Sequence, residues 1–485
     1  MTLSAVLSEN IATLHSLLPV ETSFDLVTRD LFLGDTPAYW IGVNGLCKTE
    51  VLQQIFSDLQ NPIFTKDGQI EDLTRYMNAK IGFSQVEKEK DWDRLIKNLL
   101  SGPSLLFVEG FDYALIIDAR SYPTRGIQEP DAEHITKGAR DGFVETLLFN
   151  ANLIRRRIRS PKLTFAMHSV GNLSRTDVAV AYLEDMVNRE LLDNLSQKLD
   201  TFQITSLTMG AKSLEELLVP HRWWNPLPAV QYTERPDVAC SYLMEGHILI
   251  IVDNSPMVLI LPGTIFQFTQ SPEDYYKSPV VGSYFRLVRM ACIPVSLFLM
   301  PLFLLVTAHY PQLALEWKIL STEPQGPAYM IFYVLAVEFI LDLFKYSASV
   351  SPGRFSGSLA IVGGLLIGDM AVSLNWASTE VLFYGAISLL ATISISSLEL
   401  ADALRVYRIF LLIVTAVGGL WGFVAGFVLI LLSIVTTPTF GGMSYFWPLF
   451  PWNGSALKNL LFRSPTFKAQ PSNTWDRGPV HSRKP

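Results

Sequence analysis

Hydrophobic residues are distributed in two different ways along the 485-residue chain. Before residue 285 they occur in short runs of strand length, such as AYWIGVNG and HILIIVD, which turn residues separate. Between Met290 and Val435 they form long blocks, and only 13 of those 146 residues are Asp, Glu, Lys or Arg. Because a bilayer requires about 20 consecutive apolar residues per helix, this second part is predicted to be a membrane domain.

The membrane domain contains five hydrophobic segments that could each form a helix. The pattern predicts four or five membrane helices, with segments at 290–309, 328–346, 357–374, 380–397 and 409–435. The first segment carries Pro294 and Pro301 seven residues apart, on one helix face. Because proline removes a backbone hydrogen bond, this helix is predicted to bend.

Charged residues interrupt the second hydrophobic segment, AYMIFYVLAVEFILDLFKY. Glu338 and Asp342 lie four residues apart on one helix face, and Lys345 lies one turn beyond Asp342. Since a charge within a bilayer costs roughly 2.5 to 3.5 kcal/mol, such residues usually face a bundle interior or a wet cavity. We therefore predict an ion pathway lined by these three residues and by Asp369 of the third segment. The alternative is that 328–346 lies flat in the membrane interface.

Glycine recurs at every fourth position of the last segment, at Gly418, Gly422 and Gly426. Gly364 and Gly368 repeat this spacing once in the third segment. The spacing creates a strip without side chains where another helix can pack closely, so it predicts helix–helix contacts. The simpler explanation is that membrane helices are rich in glycine in general.

The first half of the chain is predicted to be an α/β region in two parts. Two pairs of apolar runs, SLLFVEG with YALIIDAR and HILIIVD with MVLILPG, predict β-hairpins. Periodic apolar residues predict helices, including one over about 177–199 that follows the strand LTFAMHSVG. We place the two subdomains at 1–100 and 101–285, the membrane domain at 286–435 and a partly disordered tail at 436–485.

Composition and charge narrow the functional classes. The formal net charge is -7, without the clustered positive face that nucleic-acid binding normally needs. The three cysteines, Cys47, Cys240 and Cys292, have no metal-binding or redox spacing. The chain has no glycine-rich phosphate loop, no HExxH and no GxSxG. We therefore predict no catalytic site, no cofactor, no metal and no enzyme activity.

Targeting signals and basic residues predict how the chain is oriented. The N-terminus lacks a basic region followed by a long apolar run, so the first half is expected in the cytosol. Arginines precede the first and last segments, and the tail after Val435 carries six basic residues. These charges place both regions on the cytosolic side. Five full crossings would put the tail outside, so one segment is predicted not to cross, and the charged second segment is the best candidate.

The stretch from Arg120 to Arg159, followed by VGNLSRTDVAVAYLEDM, resembles the A subunits of the GerA family of spore germination receptors. The segments LEELLVPHRWWNPLPAVQYTERPDVA, EGHILIIVDNSPMVLILPGTIF and YFWPLFPWNGSALKNLLFRSP extend the resemblance, which covers about residues 24–463. It implies an α/β cytosolic N-terminal region of two subdomains, followed by a polytopic α-helical membrane domain in the spore inner membrane. It also implies a ring-shaped homo-oligomer whose partners are other germination membrane proteins and membrane lipids, with no nucleic acid.

The densest charged stretch of the first half is the candidate surface for ring assembly. Its candidate oligomer contacts are Arg120, Arg125, Arg140, Arg155, Arg156 and Arg157. Alternating charges there could pair between neighbouring subunits. The alternative is a solvated surface in which the last three arginines suit the negative end of a helix dipole.

Two classes of function remain open. The leading hypothesis is an oligomeric cation channel subunit that acts in spore germination, with or downstream of germinant receptors. The rival is a secondary transporter or exporter component, or a non-conducting membrane scaffold. Interrupted helices in matched halves would favour a transporter, and the sequence shows no convincing pair of such halves.

Overall fold

The computed structural model describes residues 2–60, 73, 85–122, 137–219, 223–319, 326–350, 373, 378–442 and 444–463. The third hydrophobic segment, with Gly364, Gly368 and Asp369, lies outside the described residues, and so does Arg125. The described chain divides into two compact units. An α/β unit contains the residues up to 219 and 230–262, and a helical unit contains 223–229 and the residues from 263 onward.

The first part of the α/β unit is a five-stranded antiparallel sheet with the strand order β1-β2-β4-β5-β3. Its strands are β1 (Leu26–Leu33), β2 (Thr36–Val43), β3 (Gln85–Glu89), β4 (Ser104–Val108) and β5 (Ala114–Asp118). Its helices are α1 (Leu7–Leu17), α2 (Thr49–Gln60) and α3 (Trp92–Leu99). Neighbouring strand residues point to opposite faces, so Phe107 packs with α1 and α3 while Leu106 packs with α2.

The second part repeats this architecture with the strand order β6-β7-β9-β10-β8. Its strands are β6 (Leu163–Val170), β7 (Thr176–Leu183), β8 (Gln231–Thr233), β9 (Ile248–Val252) and β10 (Val258–Leu261). Its helices are α4 (Leu147–Arg157), α5 (Arg189–Thr201), α6 (Ala211–Leu218) and α7 (Pro236–Met244). Each strand therefore has a counterpart at the same place in the first sheet. Both predicted hairpins are present, as β4 with β5 and β9 with β10.

The two parts also share the way in which their first helices begin. In α1, Asn10 forms two side-chain hydrogen bonds with the backbone of Ser4, at 3.0 and 2.7 Å. In α4, Asn150 forms the same two bonds with Val144, at 2.8 and 2.5 Å. Each bond spans six residues, so the asparagine of the first turn pairs backbone groups of the segment just before its helix. This repeated detail supports a duplication of one structural unit.

A buried ion pair joins the two parts of the α/β unit. Arg155 in α4 donates to Asp25, just before β1, from Nε at 2.7 Å and from Nη2 at 3.2 Å. The hydroxyl of Ser23 donates to Asp25 at 2.6 Å and accepts from the backbone N–H of Phe165 in β6 at 3.0 Å. Both charged side chains are almost completely buried, so these bonds offset part of their desolvation cost.

Two sequence-based assignments in the α/β unit are wrong. The boundary between residues 100 and 101 would separate β4 and β5 from β1–β3, whereas all five strands form one sheet. The helix predicted over 177–199 consists instead of β7, a turn and the shorter helix α5, which the side chain of Asn188 caps. Asn188 accepts from the backbone N–H of Leu191 at 3.3 Å, so α5 cannot begin as early as predicted.

The described part of the helical unit contains helices and short helical turns. They are a 3₁₀ turn (Gln267–Thr269), α8 (Glu273–Tyr276), α9 (Pro279–Leu304), a π-helical turn (Leu305–His309), α10 (Pro311–Glu316), α11 (Pro327–Val350), α12 (Thr379–Ile393), α13 (Leu398–Val435), a 3₁₀ turn (Phe440–Gly442) and α14 (Gly454–Leu461). Within the described residues, the stretches 279–309, 327–347 and 398–435 are long and apolar enough to cross a membrane. The predicted fold class, a two-part α/β region followed by apolar helices, is therefore confirmed. The number of crossings stays a prediction.

The longest helix, α13, folds back on itself at Gly419. Gly419 has φ 54° and ψ -134°, a backbone conformation that favours glycine, and it divides α13 into 398–418 and 420–435. The hydroxyls of Tyr407 and Ser433 form a hydrogen bond at 2.6 Å although 26 residues separate them. A straight helix of that length would hold them about 39 Å apart. The two halves of α13 are therefore an antiparallel helical hairpin.

The residues after α13 pack onto the helical unit as far as residue 463. Tyr445 is fully buried, and its hydroxyl donates to the carbonyl of Pro228 at 2.8 Å. The sequence predicts a partly disordered tail over 436–485, but residues 444–463 are ordered and include α14. Residues 464–485 lie outside the described part of the chain.

Candidate functional site

Three ion pairs connect α11 with the first half of α13. Glu338, Asp342 and Lys345 lie at one-turn intervals on α11, and they pair in reverse order with Arg408, Arg405 and Asp402 on α13. One-turn spacing places each set on a single helix face, and the reverse order shows that the two helices run antiparallel. We call these three pairs the ion-pair ladder.

The pair of Glu338 and Arg408 is the most deeply buried rung of the ladder. Nη2 of Arg408 lies 3.0 Å from Oε2 of Glu338, and both side chains are almost fully buried. Nη1 of Arg408 donates to the carbonyl of Ser296 at 3.0 Å and to the hydroxyls of Ser388 at 2.9 Å and Thr392 at 3.1 Å. Arg408 therefore connects α9, α11, α12 and α13 at one point.

The other two rungs are progressively more exposed. Arg405 pairs with Asp342, whose side chain is 29% exposed. Nη1 of Arg405 also lies 3.6 Å from Oδ1 of Asp402. Lys345 pairs with Asp402, whose side chain is 61% exposed. The ladder therefore extends from a buried polar centre to the surface of the helical unit, and its outer pairs are weaker because solvent screens them.

The ladder contains three acidic and three basic side chains, so its formal charge is zero. The sequence predicts that Glu338, Asp342 and Lys345 line an ion pathway, whereas here each carboxylate of α11 pairs with an arginine of α13. Among the described residues, Oε1 of Glu338 and Nε of Arg408 have no hydrogen-bond partner. Buried polar atoms without partners cost free energy, so the paired arrangement is only partly stabilised.

The sequence predicts a role for the charges on α11 but not for their partners on α13. Arg405 and Arg408 are predicted only to mark membrane orientation, and no role is predicted for Asp402. The available signal was their one-turn spacing at the start of an apolar helix, which matches the spacing on α11. Asp369, the fourth predicted pathway residue, lies outside the described residues, so its relation to the ladder stays a prediction.

The glycines of the last segment lie inside the α13 hairpin. A Cβ atom on Gly422 would be 2.2 Å from the carbonyl oxygen of Val414, and one on Gly426 would be 2.7 Å from Cδ1 of Leu411. Both glycines therefore allow the second half of α13 to approach the first half closely. A Cβ on Gly418 would have no heavy atom within 4 Å, so Gly418 does not take part in this approach.

The arginines predicted as oligomer contacts have different environments. The prediction that Arg155 is an oligomer contact is wrong, because Arg155 is completely buried against Asp25. Arg157 forms two hydrogen bonds of 2.6 Å with Asp141, which ties the end of α4 to the preceding loop. The helix itself begins after Thr146.

The remaining arginines of this set lie nearer to the surface. Arg120 binds Asp118, and this hydrogen bond lowers the pKa of the Asp118 carboxyl. Arg156 is exposed and lies over the ring of Tyr122, 4.5 Å from its centroid. Arg140 is exposed as well. Arg120, Arg140 and Arg156 are therefore the exposed members of the described set, which a neighbouring subunit could reach.

The described residues offer little for metal or thiol chemistry. Within them, no group of three or more His, Cys, Asp or Glu residues could hold a metal ion. Burial raises the pKa of the Cys47 thiol to about 12, and it does the same for Cys240. Both thiols are therefore protonated near neutral pH and react poorly as nucleophiles.

Comparisons with known proteins identify relatives along nearly the whole chain. Residues 13–474 match the family model described as the Bacillus/Clostridium GerA spore germination protein. Stage V sporulation protein AF of Bacillus subtilis (strain 168) is 34% identical over 453 residues, which cover 93% of this chain and 91% of that protein. Spore germination protein KA of the same organism is 28% identical over 469 residues, which cover 96% of this chain and 85% of that protein.

A solved structure is also similar to part of the chain. It is the crystal structure of the N-terminal domain of the A subunit of the Bacillus megaterium spore germinant receptor GerK3. The match has a TM-score of 0.42 and 25% sequence identity, and it covers 54% of this chain and 96% of that chain. Because the family match spans residues 13–474, the protein belongs to the GerA family of spore germination proteins.

Proposed function

We propose that this protein is an ion channel subunit of the spore inner membrane, which assembles as a ring and acts with or downstream of germinant receptors. Its α/β unit lies on the cytosolic side. Family membership supports a role in germination, since the relatives are sporulation and germination proteins. Three apolar stretches of bilayer length within the described residues support a membrane location.

The ion-pair ladder is the observation that carries the conducting role. Ionisable residues within apolar helices are rare, and they commonly mark an ion pathway. Here they hold α11 against α13 with zero formal charge, which suits a closed pathway. Separation of the two helices would release Glu338 and Asp342 from their arginine partners. Free carboxylates along the pathway would then attract cations.

The ladder also has the physical properties of a gate. Its outer pairs are partly exposed, so each stabilises the closed arrangement by about 1 kcal/mol or less. Its inner pair leaves Oε1 of Glu338 and Nε of Arg408 without hydrogen bonds among the described residues. A closed state of this kind is only moderately stable. A ligand that binds the open state somewhat more tightly than the closed state can therefore open it.

A carrier is the second candidate, because α13 is interrupted at Gly419 within an apolar stretch. Secondary transporters place their binding sites at broken helices of this kind, usually in two matched halves. The described residues contain this one interrupted apolar helix, and a matching second interruption lies nowhere in their ranges. The channel is therefore the better supported function.

The deciding experiment records purified full-length protein in planar bilayers. A channel gives discrete single-channel steps, whereas a carrier gives coupled flux of fixed stoichiometry and a scaffold gives neither. Asp342→Asn removes one outer pair, and we expect about a fivefold rise in the ratio of open to closed dwell times. Cation selectivity should also fall, because one carboxylate is lost from the pathway.

The matched control is Glu316→Gln, which removes an exposed carboxylate of α10 that lies outside the ladder. It should leave both the dwell times and the selectivity unchanged. Glu338→Gln and Asp369→Asn test the other pathway residues in the same assay. Normal amounts of assembled protein with unchanged cation permeability in all three variants would rule out the pathway role.

A further inference from the structure

A second buried cluster of charges lies at the start of α9. Asp274 in α8 accepts from Nη1 and Nη2 of Arg289, at 2.9 and 3.1 Å. Nε of Arg286 lies 3.4 Å from the same carboxylate. The side chain of Asp274 is 1% exposed, that of Arg286 is 4% exposed and that of Arg289 is 11% exposed. Two guanidinium groups therefore share one buried carboxylate.

A third arginine comes to the same helix face from the end of the described chain. The backbone N–H of Arg463 donates to the hydroxyl of Ser283 at 3.0 Å. Cδ of Arg463 lies 3.2 Å from the position that a Cβ on Gly282 would take. Gly282 is one turn before Arg286 on α9, so Arg463 lies on the face that carries Arg286.

The cluster has more positive than negative charge among the described residues. Arg286 and Arg289 share the carboxylate of Asp274, which leaves a formal excess of one positive charge, and the partly buried Arg463 adds a second on the same helix face. An excess of positive charge in a buried position is costly unless an anion compensates it. A phosphate group carries about one to two negative charges, depending on whether it is a diester or a free ion, so it can compensate this excess.

Unused hydrogen-bond donors point to the same ligand. Nη1 of Arg286 donates to the carbonyls of Asn459 and Leu460 at the end of α14, at 3.0 and 3.3 Å. Nη2 of Arg286 and Nη1 of Arg463 are buried and have no hydrogen-bond partner among the described residues, whereas Nε of Arg286 faces Asp274. Guanidinium groups bind phosphate through pairs of N–H donors, so these donors suit its oxygens.

The position of the cluster favours a phosphate at a membrane surface. Arg286 and Arg289 lie just before the first long apolar segment, which begins near Met290. Lipid phosphates lie at this depth, between the hydrocarbon core and the aqueous phase. We propose that Arg286, Arg289 and Arg463 form a binding site for a phosphate group, supplied by an anionic lipid headgroup or by a free phosphate ion.

The site does not depend on ion conduction, so it can be tested by binding alone. The full-length protein is purified in detergent, and its unfolding temperature is measured with added phosphatidylglycerol, phosphatidylcholine or inorganic phosphate. A ligand that binds the folded state raises this temperature in a concentration-dependent manner. Stabilisation by phosphatidylglycerol alone identifies a lipid site, whereas stabilisation by inorganic phosphate identifies a site for the free ion.

Arg463→Gln is the principal test variant, because this side chain is only partly buried and its loss leaves the pairing of Asp274 intact. We expect its apparent affinity for the stabilising anion to fall about tenfold or more. Lys318→Gln is the matched control, since it removes one exposed positive charge outside the cluster. Its affinity should equal that of the unmodified protein.

Arg286→Gln provides an independent check if it folds, and it should bind the anion more weakly than Arg463→Gln does. The proposal is overturned if neither phosphatidylglycerol nor inorganic phosphate stabilises the protein more than phosphatidylcholine does. It is also overturned if Arg463→Gln and Lys318→Gln have equal affinity for the stabilising anion.

Discussion

Glu338 and Arg408 form a buried ion pair with 3.0 Å between Oε2 and Nη2, although 70 residues separate them in the sequence. Arg408→Gln should therefore destabilise the helical unit by about 3 to 5 kcal/mol, because it leaves the Glu338 carboxylate buried without its partner. The unfolding temperature of the purified protein in detergent measures this loss.

The double variant Glu338→Gln with Arg408→Gln serves as the control for that experiment. It removes both charges, so no uncompensated charge remains and the destabilisation should be much smaller than for Arg408→Gln alone. A double variant as unstable as the sum of the two single variants would show that the pair does not interact as described.

The α13 hairpin predicts that alanine substitutions at two glycines four residues apart change the stability of the protein differently. Gly422→Ala should destabilise the protein by about 1 to 3 kcal/mol, because its Cβ would be 2.2 Å from the carbonyl oxygen of Val414. Gly418→Ala has open space and should be neutral, or stabilising by up to about 1 kcal/mol, because alanine favours helix. Thermal unfolding of the two variants tests the comparison, and equal effects would contradict the hairpin.

The buried pair of Asp25 and Arg155 predicts a contrast between neighbouring arginines. Arg155→Gln should destabilise the α/β unit by about 3 to 5 kcal/mol, since it leaves Asp25 charged and buried. Arg156→Gln should cost less than about 1 kcal/mol, because Arg156 is exposed. Amide hydrogen exchange of β1 and β6 in the full-length protein measures both changes. If Arg156→Gln lowered protection as strongly as Arg155→Gln, the assignment of Arg155 would be wrong.

His247 makes the stability of the α/β unit depend on pH. Burial lowers the pKa of His247 from 6.5 to about 4 in the folded protein. Between these values the unfolded chain binds a proton that the folded protein does not bind, so stability is retained above pH 6.5 and falls as the pH decreases toward 4. The loss from this group is about 3 kcal/mol by pH 4.

The urea midpoint of the α/β unit measures this pH dependence in the full-length protein. Cys240 is a suitable reporter because it is 4% exposed in the folded state, and a disulfide reagent that reacts in acid labels it only on unfolding. His247→Gln removes the titrating group, so its midpoint should depend less steeply on pH over the same range. Parallel pH profiles for the two proteins would contradict the prediction.

The hairpins of the α/β unit could be predicted from the sequence because the information is local. Apolar runs of strand length on either side of turn residues have few alternative structures, and both predicted hairpins are present. The helix predicted over 177–199 is wrong because β7 is buried along most of its length, so its sequence shows no alternation that distinguishes a strand from a helix.

The sheet boundary and the ladder required information that the sequence does not carry locally. The strand order β1-β2-β4-β5-β3 places β3 at an edge beside β5, and an order of this kind depends on packing between distant residues. The ladder likewise depends on which face of α11 meets α13. The charges of α11 were visible in the sequence, but their partners Arg405 and Arg408 could be identified only from the packed helices.

The order of charges along the ladder restricts how α11 and α13 can move. Along α11 the charges are negative, negative and positive, and opposite them on α13 they are positive, positive and negative. If α11 slid by one turn in one direction, Asp342 would face Asp402, and in the other direction Lys345 would face Arg405. Either shift would place two like charges together and leave one residue at each end without a counterpart. Sliding by one turn is therefore opposed in both directions, and any opening movement must separate or rotate the helices instead.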